Sequence, residues 1–460
     1  MPIVGFLNEI LWNYILIILL LGCAVWFTIR THGVQFRMIG DMLKLLVEKN
    51  GYRDKKHNVS SFQAFAISIA SRVGTGNLAG VATAIVLGGP GAIFWMWIIA
   101  ILGGANAFIE STLAQLYKVK SEKSFIGGPA YYIKKGLHSR LFASVFAILI
   151  LFTFGFAFNS VQSNTITAAF SSAFGIDKFY LGAIITALTL VVIFGGIHRI
   201  AKVSEIIVPS MAILYIILAI FVIIIRFDRI PHVLELIIEN AFGFEQIMGG
   251  GIGMAVLMGI KRGLFSNEAG MGSAPNIAAT ANVTHPVKQG LIQTLGVYTD
   301  TIIVCSCTAF IILCSGLFDS GLSGIELTQA SLNNEIGSIG SAFIAVIILF
   351  FAFTSIIGNY YYGESNLYFM TRNKKVLFAY RILVGGMVMY GSLAELNHVW
   401  SLADLCMGLM TICNLCAIIL LGKYVILCLK DYQEQKRQGK NPRYHSSTIP
   451  QIAKETECWN

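Results

Sequence analysis

The stretch "SRVGTGNLAGVATA", residues 71–84, sets Arg72, Gly74, Gly76, Asn77 and Gly80 inside a long apolar run. Each glycine costs a helix about 1 kcal/mol against alanine. An arginine at mid-membrane depth costs roughly 2.5–3.5 kcal/mol or more. Together they point to a helix that unwinds partway, at "GTG", 74–76. Unwinding frees N–H and C=O groups that cannot face lipid and must line a cavity. Amides at the start of a half-helix suit a carboxylate. Freed carbonyls suit a sodium ion or an ammonium group, and glycine lets a ligand approach the backbone closely. At Gly80, Gly88, Gly103 and Gly104 tight helix packing is the simpler reading.

The elements that hold such a break must themselves be membrane helices. The chain has 460 residues, 56% of them hydrophobic and only 12% charged, too few charges to cover a soluble protein. Runs of about 20 apolar residues recur, each able to cross a ~30 Å hydrocarbon core. They predict an all-α polytopic membrane protein with about 11 spans, near 10–29, 60–88, 91–117, 141–166, 179–197, 204–225, 246–282, 288–316, 338–363, 376–394 and 400–425. The net charge of +9 raises nucleic acid as a partner, but the distribution of Lys and Arg argues against it. The segments "EKNGYRDKKH", "YKVKSEK" and "RNKK" fall on one side, and only Lys178, Arg226 and Arg229 on the other. By the positive-inside rule the N-terminus is outside and the C-terminus cytoplasmic. The basic stretch "KDYQEQKRQGKNPRYH" then reads as a retention signal and solvated tail. The first span has no basic residue ahead of it and no small-residue cleavage site, which predicts a retained span. Nine cysteines, mostly inside spans, show no metal spacing and read as small packing residues.

The opening stretch repeats. At a constant offset, Arg72, Asn77, Ala79, Gly80 and Ala84 meet Arg262, Asn267, Ala269, Gly270 and Ala274 in "KRGLFSNEAGMGSA". The copies lie in spans 2 and 7, an odd separation, so they run in opposite directions through the bilayer. Spans 2–6 (60–230) and 7–11 (246–425) then form an inverted repeat. It is preceded by an N-terminal span and loop (1–59), divided by an outer amphipathic segment (231–245) and followed by a basic tail (426–460). In such repeats the substrate lies at the midplane between two interrupted helices. The second interruption is expected between Gly259 and Ser266, in "GIKRGLFS".

"GGPGAIFWMWIIAILGG" (88–104) and "KRGLFSNEAGMGSAPNIAAT" (261–280) closely resemble the alanine or glycine:cation symporter family, as do "FTSIIGNYYYGE" (353–364) and "VQSNT" (161–165). The resemblance covers the chain except 445–460. It implies a leucine-transporter-type 5+5 inverted repeat with one extra N-terminal helix. It also implies sodium-coupled uptake of a small neutral amino acid in the cell membrane, alanine or glycine first, with proton coupling in some members. The substrate carboxylate would be held at Thr75 and Gly76, with Gly74 and Asn77 beside them. A sodium ion would be held by the carbonyls of Ala70, Val73 and Phe351 and the hydroxyls of Thr354 and Ser355. On sequence alone, a bond to the i−4 carbonyl is the plainer reading of such a hydroxyl pair. Gly263 and Phe265 resemble substrate-lining positions. Asn267 binds ligand or caps a half-helix. Phe158, Gln162 and Asn164 share neighbouring turns of span 4, where Gln162 gates, touches substrate or bonds another helix. Many relatives carry tryptophan where this chain has Asn359; a wider, more polar pocket there admits glutamine.

Four charges read as gating or structural: Arg72, Arg262, Glu268, which needs Arg72 or Arg262 as partner, and Glu364, paired with a nearby Arg or Lys at the inner face. Glu110 reads as a structural ion pair or helix contact, and Asp300 and Asp404 as interhelical hydrogen bonds or proton carriers. No HExxH or GxSxG is present, which argues against an enzyme. The expected partners are a neutral amino acid, sodium and the bilayer, with no cofactor and no nucleic acid. Rival readings are a channel or an amino-acid sensor without coupled transport.

Overall fold

The computed structural model describes residues 2–48, 59–121, 125–195, 197–242 and 251–459. The basic loop 49–58 and the expected start of span 7 at 246–250 lie outside them. Among the described residues, seven helices are long and apolar enough to cross a membrane: Ile3–Arg30, Ala92–Leu116, Arg140–Phe174, Pro286–Ser315, Ile339–Met370, Lys374–Leu393 and Leu396–Arg437. These are spans 1, 3, 4, 8, 9, 10 and 11. The other four are short, bent or interrupted. Span 2 is Ser61–Arg72 plus Gly76–Gly88, span 5 is Lys178–Ile193, span 6 is Ile197–Ile225, and span 7 is Gly251–Asn267 plus Ala274–Ala278. After span 6 the chain bends by 77° into Phe227–Phe242, which carries the amphipathic segment.

Local chemistry starts and stops these helices. Ser60 and Gln63 form a capping box ahead of span 2. Ser139, Asp177 and Asn373 cap spans 4, 5 and 10 through their side chains. His285 precedes Pro286 at the start of span 8 and accepts from the Val287 amide. Gly175 and Gly316, both left-handed, end spans 4 and 8.

Packing follows the repeat. Span 3 lies along span 8, span 4 along span 9 and span 5 along span 10, so these helices are paired with their counterparts in the other half. Small residues permit the approach: a Cβ on Gly290 would lie 2.1 Å from Thr112 Oγ1 and one on Gly103 3.1 Å from Ala269 Cβ. At Gly80 the nearest atoms are 3.7 Å away, an ordinary contact, so packing does not require a glycine there. The wider helical turns at Gly76–Gly80, Leu151–Phe158 and Tyr298–Cys305 adjoin the centre of the bundle, where such turns commonly accompany function.

The tail is not the solvated strand expected from its charge. Span 11 continues to Arg437, and the segment beyond it folds back with Tyr444, Ile449, Ile452, Thr456 and Trp459 buried.

Candidate substrate and ion site

Span 2 loses its helix at Val73 and Gly74 and resumes at Thr75. Val73 is extended at φ −74°, ψ 101°. Two of the freed amides have side-chain partners. The Gly74 amide donates to Asn77 Oδ1 at 2.8 Å, and the Thr75 amide to Gln162 Oε1 at 2.9 Å. The Thr75 hydroxyl is buried without a hydrogen-bond partner. A Cβ on Gly74 would lie 2.4 Å from Ser355 Oγ and 2.7 Å from Gln162 Oε1, so only glycine fits between spans 4 and 9.

On the other side of that turn, Ser355 Oγ lies 3.0 Å from the Ala70 carbonyl oxygen, 3.2 Å from that of Val73 and 2.9 Å from that of Phe351. Thr354 Oγ1 is 3.0 Å from the Phe351 oxygen, and also 3.0 Å from that of Phe350, its i−4 carbonyl. All five expected ion-ligand residues are thus gathered at the crossing of spans 2 and 9, fully buried. One hydroxyl hydrogen cannot serve three carbonyls. The surplus of oxygen lone pairs suits a hard cation, which takes carbonyl and hydroxyl oxygens as ligands.

Span 7 breaks later than the sequence suggested. Its outer helix runs unbroken from Gly251 to Asn267, through Gly259–Ser266, and the unwound stretch lies between Asn267 and Ala274. Glu268, Gly270 and Gly272 there have φ of 57°, 87° and 90°. The repeat alignment matched side chains rather than the backbone reversal, which occurs where glycines permit positive φ. Glu110 of span 3 captures the exposed backbone: Oε1 accepts from the Gly270 amide at 3.1 Å and Oε2 from the Gly272 amide at 3.0 Å. Asn414 of span 11 completes the cradle by donating to Glu110 at 2.7 Å and to the Gly270 carbonyl at 2.9 Å. Glu110 is therefore a cap for unwound backbone, not half of an ion pair. Asn267 caps as well, accepting from the Ala269 amide at 3.0 Å.

The two broken helices meet at Gly76, whose added Cβ would lie 3.0 Å from Phe265 and 3.1 Å from the Ser266 Cα. Phe265 stacks between Phe158, at 4.4 Å between ring centroids, and Trp400, at 4.6 Å. Gly263 does not join them; its Cα points at Ile99 of span 3, with an added Cβ at 2.6 Å. Asn164 also turns away, donating to the Gly391 and Ala394 carbonyls of span 10. Asn359 does reach the centre. Its Oδ1 accepts from Ser71 at 2.9 Å and its Nδ2 donates to Asn159 at 3.1 Å. Asp300 ties the breaks together, accepting from Asn77 at 2.7 Å and Ser266 at 2.6 Å.

Of the charges, Glu364 pairs as expected and Glu268 and Asp404 differently. Arg262 binds both oxygens of Asp404, at 2.8 and 2.6 Å, with Lys261 at 3.1 Å from the same carboxylate. Asp404 is thus an ion-pair partner rather than a simple interhelical acceptor. Arg262 stacks on Trp400 at 4.3 Å. Glu268 pairs with neither arginine through a hydrogen bond; Ser273 and Tyr362 donate to it, and Ser71 Oγ lies 3.2 Å from its other oxygen. Arg72 donates to the Gln293 carbonyl at 3.2 Å. Glu364 meets Arg381 of span 10 at 3.1 Å. Sequence reasoning missed Trp400 and Asn414, whose partners are distant in the chain, and left Glu110 open between an ion pair and a helix contact. A carboxylate in a buried span facing a Gly-x-Gly stretch is the signal that pointed to the last.

A bundle of paired half-repeats, with two interrupted helices crossing at its centre and an oxygen cage beside them, defines a secondary transporter of the leucine-transporter type. Solved structures share that fold: MhsT in complex with L-phenylalanine (TM-score 0.58, 12% identity, 89% of this chain and 93% of that one) and the Eremococcus coleocola manganese transporter (0.56, 14%, 89% and 90%). The profile of the sodium:alanine symporter family matches residues 1–446, and the chain belongs to that family. It is 54% identical to "Probable sodium/glutamine symporter GlnT" of Bacillus subtilis (99% of this chain, 95% of that one) and 51% identical to the amino-acid carrier protein AlsT of the same organism (98% and 96%). It is 36% identical to the sodium/alanine symporter AgcS of Methanococcus maripaludis (95% and 99%). The protein is a multi-pass membrane amino-acid symporter, not an enzyme.

Proposed function

We propose that the chain imports a polar neutral amino acid of the glutamine class together with sodium, by alternating access, with its N-terminus outside and its C-terminus in the cytoplasm. The observation that carries this is the cage around Ser355 Oγ, whose Ala70 and Val73 carbonyls belong to the same unwound turn as the Thr75 amide. Sodium in the cage fixes the turn, and the fixed turn presents the Thr75 and Gly76 amides to a carboxylate. Gln162 holds that place with its own carboxamide oxygen, so the incoming carboxylate displaces it. Coupling needs only that each ligand favour the same state, a reciprocal free energy of about 1–3 kcal/mol. The membrane potential adds about 2.3 kcal/mol per charge per 100 mV.

Asn359, Asn159 and Ser71 form a fully buried polar wall near the aromatic stack. A substrate carboxamide matches it with one acceptor and two donors, and the relative named "Probable sodium/glutamine symporter GlnT" is 54% identical. Alanine is the second reading, favoured by the family description. Proteoliposomes loaded without sodium are expected to accumulate labelled glutamine, and accumulation is expected to collapse when external potassium replaces sodium. Asn359→Trp should shift competition profiles toward alanine and glycine by about tenfold or more. Sodium-independent accumulation would remove the ion assignment, and an unaltered profile in N359W would place Asn359 outside the pocket.

A further inference from the structure

The last residues of the chain make contacts that transport at the central site does not use. The inner half of span 7, Ala274–Ala278, ends in a short loop whose carbonyls are gripped from span 3. Gln115 donates to the oxygens of Ala278 and Ala281, and the Lys118 ammonium to that of Ala281 at 3.1 Å. The same loop is joined to the start of span 2: Val59 and Ala281 form a parallel bridge, and the Asn282 amide donates to the Val59 carbonyl at 3.0 Å. Both broken helices therefore end at one knot.

The tail closes over this knot. Trp459 donates from its indole to the Gln115 carbonyl at 2.9 Å and covers the Lys118 ammonium at 4.5 Å from its ring, opposite Phe125 at 4.2 Å. Tyr444 donates from its amide to the Thr284 carbonyl at 2.9 Å and packs edge-on against Trp459. Thr284 in turn donates to the Pro442 carbonyl at 2.9 Å. Glu457 pairs with Lys135 at 2.9 Å. The tail thus touches the loop after span 7, the end of span 3 and the helix Pro129–Gly136 at once.

We propose that residues 441–459 are a latch that holds the inner halves of spans 2 and 7 closed, and that its release is required for the pathway to open on that side. This rests on the alternating-access reading above for the meaning of the motion. The latch positions Ala278 and Ala281 through Gln115 and Lys118 and touches no transported ligand. Each cycle then includes an undocking step set by the tail and not by the central site.

The test compares the full chain in nanodiscs with a variant ending at Gln438 and with Trp459→Ala, by hydrogen–deuterium exchange. Peptides covering 59–72 and 274–285 are expected to exchange about threefold to tenfold faster in both variants, whereas 251–262, in the outer half of span 7, keeps its rate. A synthetic peptide of residues 441–460 added to the truncated protein should restore protection. Equal acceleration of inner and outer peptides would mark general loosening and overturn the latch. Unchanged exchange at 274–285, or failure of the peptide to restore protection, would overturn it too. Sodium-dependent uptake by the full chain, measured alongside, tests the transport reading separately, because the exchange result does not depend on it.

Discussion

At Ser355 a single hydroxyl faces three main-chain oxygens within 3.2 Å. A helix hydroxyl bonded to its own i−4 carbonyl would face one. Replacing it by alanine removes the proposed ion ligand without removing a carbonyl, and the deleted atom is small. Ser355→Ala is therefore expected to raise the sodium concentration for half-maximal uptake about tenfold, equivalent to ~1.4 kcal/mol, with little change in which amino acids compete. Thr354→Ala should act in the same direction and less strongly, because Thr354 Oγ1 is also 3.0 Å from the Phe350 carbonyl and reaches neither carbonyl of span 2 by hydrogen bonding. Uptake titrated with sodium at fixed substrate measures both. An S355A protein with the original sodium dependence would show that the carbonyl cluster only crosses helices.

At the scale of elements, the two interruptions are built by different means. Span 2 breaks over two residues, and the Gly74 and Thr75 amides are met by Asn77 and by Gln162. Span 7 breaks over a longer stretch, held by a carboxylate from span 3 and an amide from span 11. Glu110→Gln keeps one acceptor, turns the other into a donor facing an N–H, and removes the charge that strengthens both bonds. The expected loss is about 1–3 kcal/mol, read as a lower unfolding temperature in detergent together with loss of uptake at unchanged sodium affinity. The contrast explains what the sequence disclosed. The span 2 break is expected at 74–76 and lies at Val73–Gly74, within a residue or two, because Arg72, two glycines and Asn77 are crowded into six residues of an apolar run. The span 7 break was placed too early, at Gly259–Ser266, because the repeat aligned Arg262 with Arg72. The reversal is set instead by Gly270, Gly272 and a carboxylate some 160 positions away. The pairing of Arg262 with Asp404 was hidden for the same reason, since nothing local to either residue names the other.

Across the whole molecule, two ion pairs stand on opposite sides of the crossing of spans 2 and 7: Arg262–Asp404 on the outer half of span 7, and Glu364–Arg381 toward the far end of span 9. The tail adds a third closure on the Glu364 side, and it covers a titrating group outside the membrane spans, Lys118, just past the end of span 3. Burial beneath Phe125 and Trp459 pushes the Lys118 ammonium down from its ordinary range to about 7, with the Cys458 thiol, itself raised by burial, as its one charged-form neighbour. Undocked and hydrated, the lysine would hold its proton to near its ordinary value. Between those limits the undocked form binds more protons, so docking strengthens as pH rises above about 7. Below that pH both forms are charged, the cost of burying the ammonium is fully present, and docking is weakest. One proton allows at most about a tenfold change per pH unit, and the tail supplies only part of the burial. Protection factors for residues 274–285, corrected for the pH dependence of unprotected amides, are therefore expected to rise between pH 6.5 and pH 9. Lys118→Met, which keeps an apolar stem but cannot titrate, should flatten that rise while retaining docking. A rise of equal slope in K118M would assign the pH dependence to another group and leave the tail without its sensor.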